Sequence, residues 1–265
     1  MCRFFGVSRS GYYAWRQSKE RPDRDAILGA LIVKCQEYTK HTYGYRRIKL
    51  WILRETGLLI NHKTALRLMR KYGQLAVIRR RKLPCVGWEA PFVNTDNLLA
   101  RNFHASSPNQ KWVTDISYIP TKQGFLYLSV IKDLFDNFIV AYDTGTIQDH
   151  ALVARTLQKA KKEVTDGLIL HSDQGFQYTC QSYLKLSKLY GIQPSMSRPG
   201  TPLDNAPAEN FFGILKSECI NRCQSNSFQQ AQQLINQYIH FYNYERIQLK
   251  NDVSPRNPLI SCNGA

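Results

Sequence analysis

Asp115, Asp173 and Glu209 are the side chains of this sequence whose type and placement can do chemistry together. Asp115 lies inside the β-branched and aromatic run Trp112-Val113-Thr114-Asp115-Ile116, where a carboxylate is costly to bury unless something positive meets it. Asp173 follows Leu168-Ile169-Leu170-His171-Ser172 and precedes Gln174-Gly175, the carboxyl end of a short apolar strand, where open sheets place their ligands. Glu209 falls in the stretch from Leu203 to Lys216, with Asp204 or Asn205 as N-cap and Pro207 in the first turn, which begins a helix. Three carboxylates supply the oxygen donors that Mg2+ or Mn2+ takes, and two such ions about 3.5–4 Å apart can activate an attacking oxygen and stabilise a departing one. With phosphate and water completing the coordination, displacement at a phosphodiester needs no protein nucleophile. Lys216, seven residues after Glu209 and so on the same helix face, is placed to take a phosphate beside the reacting bond.

The remaining acids have plainer readings. Asp133 and Asp136 shape a strand connection, Asp204 caps a helix, and Glu218 is a surface charge. His171 is either a core hydrogen-bond donor or a group that orients Asp173.

The elements that must position these residues follow from periodicity. Trp112 to Ile119 reads as a strand that stops at Pro120, before a turn containing Gly124. Phe125 to Lys132 and Phe138 to Tyr142 read as two more strands. A helix from about His150 to Val164 leads into the strand Leu168 to His171. A helix near Gln181 to Tyr190 returns into a strand from Ile192 to Ser197. This order predicts an α/β fold, a ribonuclease-H-like mixed sheet core with helices. Upstream, a helix over Asp23 to Tyr38 carries an apolar stripe of Ile27, Leu28, Leu31, Ile32 and Cys35. Two further helices between Tyr43 and Tyr72 are parted by Thr56-Gly57-Leu58, and Asn61 caps the second. An all-α helix-turn-helix-like region therefore precedes the core. Its last helix buries Ala65, Leu68, Met69 and Tyr72 and projects Lys63, Arg67, Arg70 and Lys71, a face suited either to the major groove of DNA or to solvent. The predicted organisation is a helical region over 1–78, a basic, Pro-containing linker over 79–106 opened by Arg79-Arg80-Arg81-Lys82, and a catalytic core over 107–265. The opening stretch through Trp15 holds a Ser cap and aromatics that would pack only against something else.

Charge names the partner class. The chain of 265 residues carries a formal net charge of +16, which points to a polyanion rather than a neutral metabolite. Residues 1–100 hold 20 Lys/Arg against 7 Asp/Glu and the remainder 16 against 13, so the N-terminal half is the gripping half. The 7 cysteines form no C-x-x-C pair and read as reduced thiols. No apolar run is long enough to cross a bilayer, so the expected location is the cytoplasm.

The motifs Trp112-Val113-Thr114-Asp115, His171-Ser172-Asp173-Gln174-Gly175-Phe176-Gln177-Tyr178 and Ser195-Met196-Ser197-Arg198, running into Asp204-Asn205-Ala206-Pro207-Ala208-Glu209-Asn210-Phe211-Phe212, resemble the transposases of bacterial insertion sequences of the family numbered three. Their core is similar to retroviral integrase. The 35 residues between Asp173 and Glu209 match that family's acid spacing, and Lys216 matches its following basic position. Tyr43-Gly44-Tyr45-Arg46-Arg47-Ile48 and Arg67-Leu68-Met69 look like its helix-turn-helix region, which implies DNA contacts from Arg46 and Arg47 as well. The resemblance implies cleavage at the element's ends and strand transfer, Mg2+ or Mn2+ held by Asp115, Asp173 and Glu209, a homo-multimer on DNA and association with the nucleoid. It also implies a chain encoded by a downstream frame, joined by frameshifting to an upstream DNA-binding segment and weakly active without it. Two rivals stand beside this reading: a stand-alone ribonuclease-H-like nuclease, and a non-catalytic DNA-binding remnant or regulator.

Overall fold

The computed structural model describes residues 2, 4–20, 23–77, 95–223, 225–249 and 255. Arg79, Arg80 and Arg81, together with Met1, Cys85 and Cys262, lie outside them. The chain divides into two units, Met1–Ile78 and Arg79–Ala265.

The first unit holds α1 (Arg9–Glu20), α2 (Ala26–Tyr38), α3 (Tyr45–Thr56) and α4 (His62–Lys71). Helix α2 starts later than the apolar pattern suggests because the Asp23 carboxylate accepts from Asp25 N–H at 3.0 Å and closes a turn ahead of it. Its buried face is also rotated. Gly29, Ile32, Cys35 and Gln36 are covered while Ile27 is 75% exposed. Gly29 is required there, since a Cβ would stand 2.4 Å from the Tyr72 ring. Helix α3 ends at Gly57, whose φ of 71° is the left-handed C-cap that glycine adopts without strain. Asn61 caps α4, its side chain accepting from Lys63 N–H at 2.9 Å. Ile48, Ile52, Ala65, Leu68 and Met69 close the core between these helices. The Gln36 side-chain amide donates to the Tyr43 and Gln74 carbonyls at 3.0 and 2.7 Å, tying the loop after α2 to the end of α4. Helix α1 begins with the Ser8 hydroxyl accepting from Gly11 N–H, and it leaves Tyr12, Tyr13 and Trp15 exposed.

The second unit is built on β1 (Lys111–Thr121), β2 (Gly124–Asp133), β3 (Ile139–Gly145), β4 (Ile169–Ser172) and β5 (Gln193–Met196), in the order β3-β2-β1-β4-β5. β1 to β3 form an antiparallel meander, and β4 and β5 join parallel to β1. This is the ribonuclease-H-like order. β1 runs through Pro120 rather than stopping there. β4 flanks it only at Lys111, Trp112 and Val113, so the missing proline N–H deprives no neighbouring strand on that side of a hydrogen bond.

One face of the sheet packs Trp112, Ile131 and Leu170 under α5 (His150–Ala160) and α7 (Gln181–Leu189), through Val153, Leu157 and Tyr183. The other packs Ile119, Leu128 and Val130 under α8 (Ala206–Glu218) and α9 (Phe228–Tyr244), through Phe211, Leu215, Ile235 and Tyr242. A single turn, α6 (Phe176–Thr179), follows β4; the alternation of residue types there is too short to announce it. The later part of the stretch read as linker packs onto this unit, with Leu99 and Ala105 buried beside Val113 and Ala208. Asp133 and Asp136 accept from Phe135 N–H and Phe138 N–H, at 2.9 and 2.8 Å, and so shape the β2–β3 connection as expected.

Candidate active site

Asp115 sits two residues beyond Val113↔His171, the last partnered pair of β1 and β4. Asp173 is the first residue after β4. The two parallel strands therefore part where both carry an acid, and the crevice between strand ends is where such sheets bind ligands. One Asp173 oxygen accepts from Gly175 N–H at 3.0 Å. A Cβ on Gly175 would stand 2.8 Å from the Gln177 amide oxygen and 3.0 Å from that carboxylate oxygen, so a larger residue would have to displace one or both of these side chains.

Helix α8 brings the third acid. A short 3-10 turn, Pro202–Asn205, precedes it. The Asn205 side chain donates to the Thr114 carbonyl at 3.1 Å, and the buried Lys132 ammonium donates to the Pro207 carbonyl at 3.2 Å. These two bonds pin the first turn of α8 to β1 and β2, just ahead of Asp115. Glu209 follows in that turn, on its exposed side.

The electrostatics bind the three acids together. Burial first, then the charge of Asp173, lifts the Asp115 carboxyl to about 8, with a smaller contribution from Glu209 and an opposing one from Lys216. Burial raises Asp173. Burial and Asp173 raise Glu209. Burial and the nearby Asp115 and Asp173 hold Tyr178 well above its ordinary value, and its hydroxyl lies 3.3 Å from Thr114 Oγ1. A group of acids that repel one another in a low-dielectric crevice is the environment a divalent cation relieves. Among the described residues, no three carboxylate, imidazole or thiol groups are already gathered into one coordination shell.

His171 is a core residue. Its ring nitrogens lie 2.8 Å from Ser195 Oγ and 3.1 Å from Ser197 Oγ, joining β4 to β5 and its continuation, and burial lowers it to about 4, so it is neutral. Asp204 departs from its expected role, because Asn205 and not Asp204 precedes α8, and without a side-chain cap. Asp204 is instead fully buried and accepts from Arg101 Nε (2.6 Å), Arg198 Nε (2.9 Å), Arg198 Nη2 (3.1 Å), Thr201 Oγ1 (2.9 Å) and Asn97 Nδ2 (2.9 Å). The guanidinium of Arg198 holds it far below the usual carboxylate range. It fixes the turn before α8 to the 97–101 segment. Glu218 is no surface charge either: it takes two hydrogen bonds from the nearly buried Arg246 at 2.7 and 2.8 Å and one from Tyr238 at 2.8 Å. Arg101 and Asn97 for Asp204, and Tyr238 and Arg246 for Glu218, lie 20 or more residues away in the chain, which hides both roles from the local pattern.

The basic candidates are dispersed. Lys216 is half-buried, its ammonium 4.4 Å from the centre of the Tyr118 ring. In the first unit, Lys63, Arg70 and Arg46 are exposed and Arg47 is half-buried beside the Tyr43 ring. Arg67 forms a two-pronged pair with Asp25 at 2.8 and 3.0 Å, and Lys71 contacts Asp23 and Asp25 at 2.7 and 3.1 Å. Those two cations hold α4 to the turn before α2. Cys2, Cys35, Cys180 and Cys223 are free thiols. No helix among the described residues is long and apolar enough to cross a membrane.

Residues 105–202 match a family described as an integrase core domain, residues 190–247 a second family of the same description, and residues 22–82 an HTH-like domain. The putative transposase InsK for insertion sequence element IS150, from Escherichia coli (strain K12), is 37% identical over 250 residues, 92% of this chain and 86% of that protein. The transposase for insertion sequence element IS904, from Lactococcus lactis subsp. lactis, is 36% identical over 88% of this chain and 92% of its own length. Transposase InsF for insertion sequence IS3A, from Escherichia coli (strain K12), is 33% identical over 83% and 78%. Among solved structures, a chain of the simian T-cell lymphotropic virus intasome has the same fold, with a TM-score of 0.50 over 84% of this chain and 72% of that one at 15% identity. The chain belongs to the IS3-type family of insertion-sequence transposases, polynucleotidyl transferases with an integrase core domain.

Proposed function

We propose that Asp115, Asp173 and Glu209 are the catalytic acids, that they cut DNA at the ends of an insertion sequence, and that they join the freed 3′ hydroxyl to a target strand. The observation that carries this reading is the parting of β1 from β4 with an acid on each strand just past their last pair, and a helix pinned to β1 and β2 that bears the third. All three are oxygen donors whose charged forms are disfavoured by burial and, for Asp115 and Glu209, by a neighbouring acid, so the site suits Mg2+ or Mn2+, most simply a pair of ions with DNA bound. Such ions would supply Lewis acidity to the attacking and departing oxygens. The protein's share is positioning and charge. The Gly175 N–H and the pinned first turn of α8 hold the acids in place, and Lys216 meets a phosphate beside them.

DNA is gripped chiefly by the first unit, through Arg46, Arg47, Lys63 and Arg70 and, once released from Asp23 and Asp25, Arg67 and Lys71; Arg79, Arg80 and Arg81 add charge beyond them. Assembly as a homo-multimer on the element's ends, fusion to an upstream DNA-binding segment and residence at the nucleoid complete the reading.

The test is incorporation of a labelled terminal-repeat duplex into plasmid with Mg2+. Asp115→Asn, Asp173→Asn and Glu209→Gln should each abolish joining while leaving DNA binding within about twofold, because uncharged amides lose metal coordination but spare the basic surface. Joining retained by any one variant removes that residue from the site. Cleavage without joined products by the unaltered protein would favour a stand-alone nuclease.

A further inference from the structure

We propose that Tyr118, with Phe125 at its edge, is a nucleobase platform that receives an unpaired base of the DNA next to the reacting phosphate; this rests on the DNA-joining reading above. Tyr118 lies three residues beyond Asp115 on β1, and Phe125 opposes Pro120 across the turn to β2. The two rings meet edge to face, with centroids 5.4 Å apart at 74°. Both remain more than half exposed, Tyr118 at 57% and Phe125 at 53%, even though Lys216 already stands against the Tyr118 ring.

Three features favour a base as the occupant. Apolar ring surface is left in water beside a cation, and a nucleotide offers both a π-face and a phosphate to such a pair. The cation is Lys216, which stands 4.4 Å from the Tyr118 ring and lies two turns after Glu209 on the same face of α8, so it links the ring to the acids. The ring stands on the part of β1 past its pairing with β4, where the sheet edge is open for a strand end to enter. Stacking on an aromatic ring is indifferent to base identity, so the platform needs only an unpaired base. In this arrangement Tyr118 takes the base and Lys216 the adjoining phosphate, so a frayed end is held with its phosphodiester toward the acids.

The experiment uses the full chain with Ca2+ to allow binding without turnover, and a duplex carrying an unpaired 2-aminopurine at one end. Binding should quench the probe, and the frayed duplex should bind more tightly than its fully paired counterpart. Tyr118→Ala should lose the quenching and weaken binding of the frayed duplex by about tenfold with little effect on the paired one, whereas Tyr118→Phe keeps both. The exposed position lets the alanine variant fold, which circular dichroism verifies. Unchanged quenching and preference in Tyr118→Ala would overturn the platform, as would a change in self-association with DNA binding unaltered, which marks the rings as a protein contact. Joining by the unaltered protein separates the two readings. Normal joining with no dependence on Tyr118 defeats the platform alone, and Tyr118-dependent quenching with cleavage but no joined products defeats the joining reading alone.

Discussion

Asp115 lies on a buried strand and is disfavoured as an anion by its surroundings, so without metal it costs stability wherever it is ionised. Its folded pKa of about 8 lies above the ordinary 3.8. The folded state therefore binds more protons than the unfolded state between these values, and stability falls as pH rises through that window. In chelator, the second unit should melt lower at pH 8 than at pH 5. Asp115→Asn should remove most of that difference and melt higher than the unaltered protein at pH 8, by about 1 kcal/mol or a few degrees. Thermal melts of the two proteins at both pH values decide it; a variant less stable at pH 8 contradicts the repulsion. Asp204 is the opposite case, a buried carboxylate with its partners in place. Asp204→Ala should cost about 2–3 kcal/mol, because several charge-assisted hydrogen bonds lose their acceptor together.

Between elements, the same ion pairs that seat α4 on the turn before α2 also withhold two cations from any DNA. Asp25 engages both Arg67 and Lys71, and this pairing lowers the Asp25 carboxyl through Arg67 first and Lys71 second. Asp25→Asn should weaken the fold slightly, since exposed pairs contribute little, and should free Arg67, whereas Lys71 keeps Asp23 at 2.7 Å. The salt dependence of DNA binding would then steepen by about one unit of log–log slope, at about 0.9 per phosphate neutralised. A slope that stays flat would mean that α4 keeps its pairs on DNA or does not face it.

This contrast shows what local sequence can carry. Gly57 and Asn61 announce the ends of α3 and α4 through their own conformational preferences, and Asp115 announces itself as a charge in an apolar strand. Gly175 is explained only when the Asp173 carboxylate is seen to approach it. Asp25 with Arg67, Asp204 with Arg101 and Glu218 with Arg246 are joined by tertiary contact across long stretches of chain, where periodicity has no reach. Exposed aromatics such as Tyr118 look, in sequence, like any strand residue.

At the scale of the molecule, most of the positive charge and the three acids fall in different units. The first unit carries most of the excess of Lys and Arg, whereas all three acids belong to the second. Each unit has its own core, so a ligand that binds one stabilises that one through its folded state. Mg2+ at ten times its dissociation constant should add about 1.4 kcal/mol of stability. Hydrogen exchange should place that protection on β1, the start of α6 and the first turn of α8, and leave residues 26–72 unchanged. Because Asp115 must lose a proton before it can hold a cation, the protection should be larger at pH 8 than at pH 5. Asp115→Asn should abolish it. DNA without metal should do the reverse, protecting α3 and α4 in low salt and losing that protection as salt rises. Metal protection that spread equally into the helical unit, or that survived Asp115→Asn, would mean that cations bind somewhere other than the parted ends of β1 and β4.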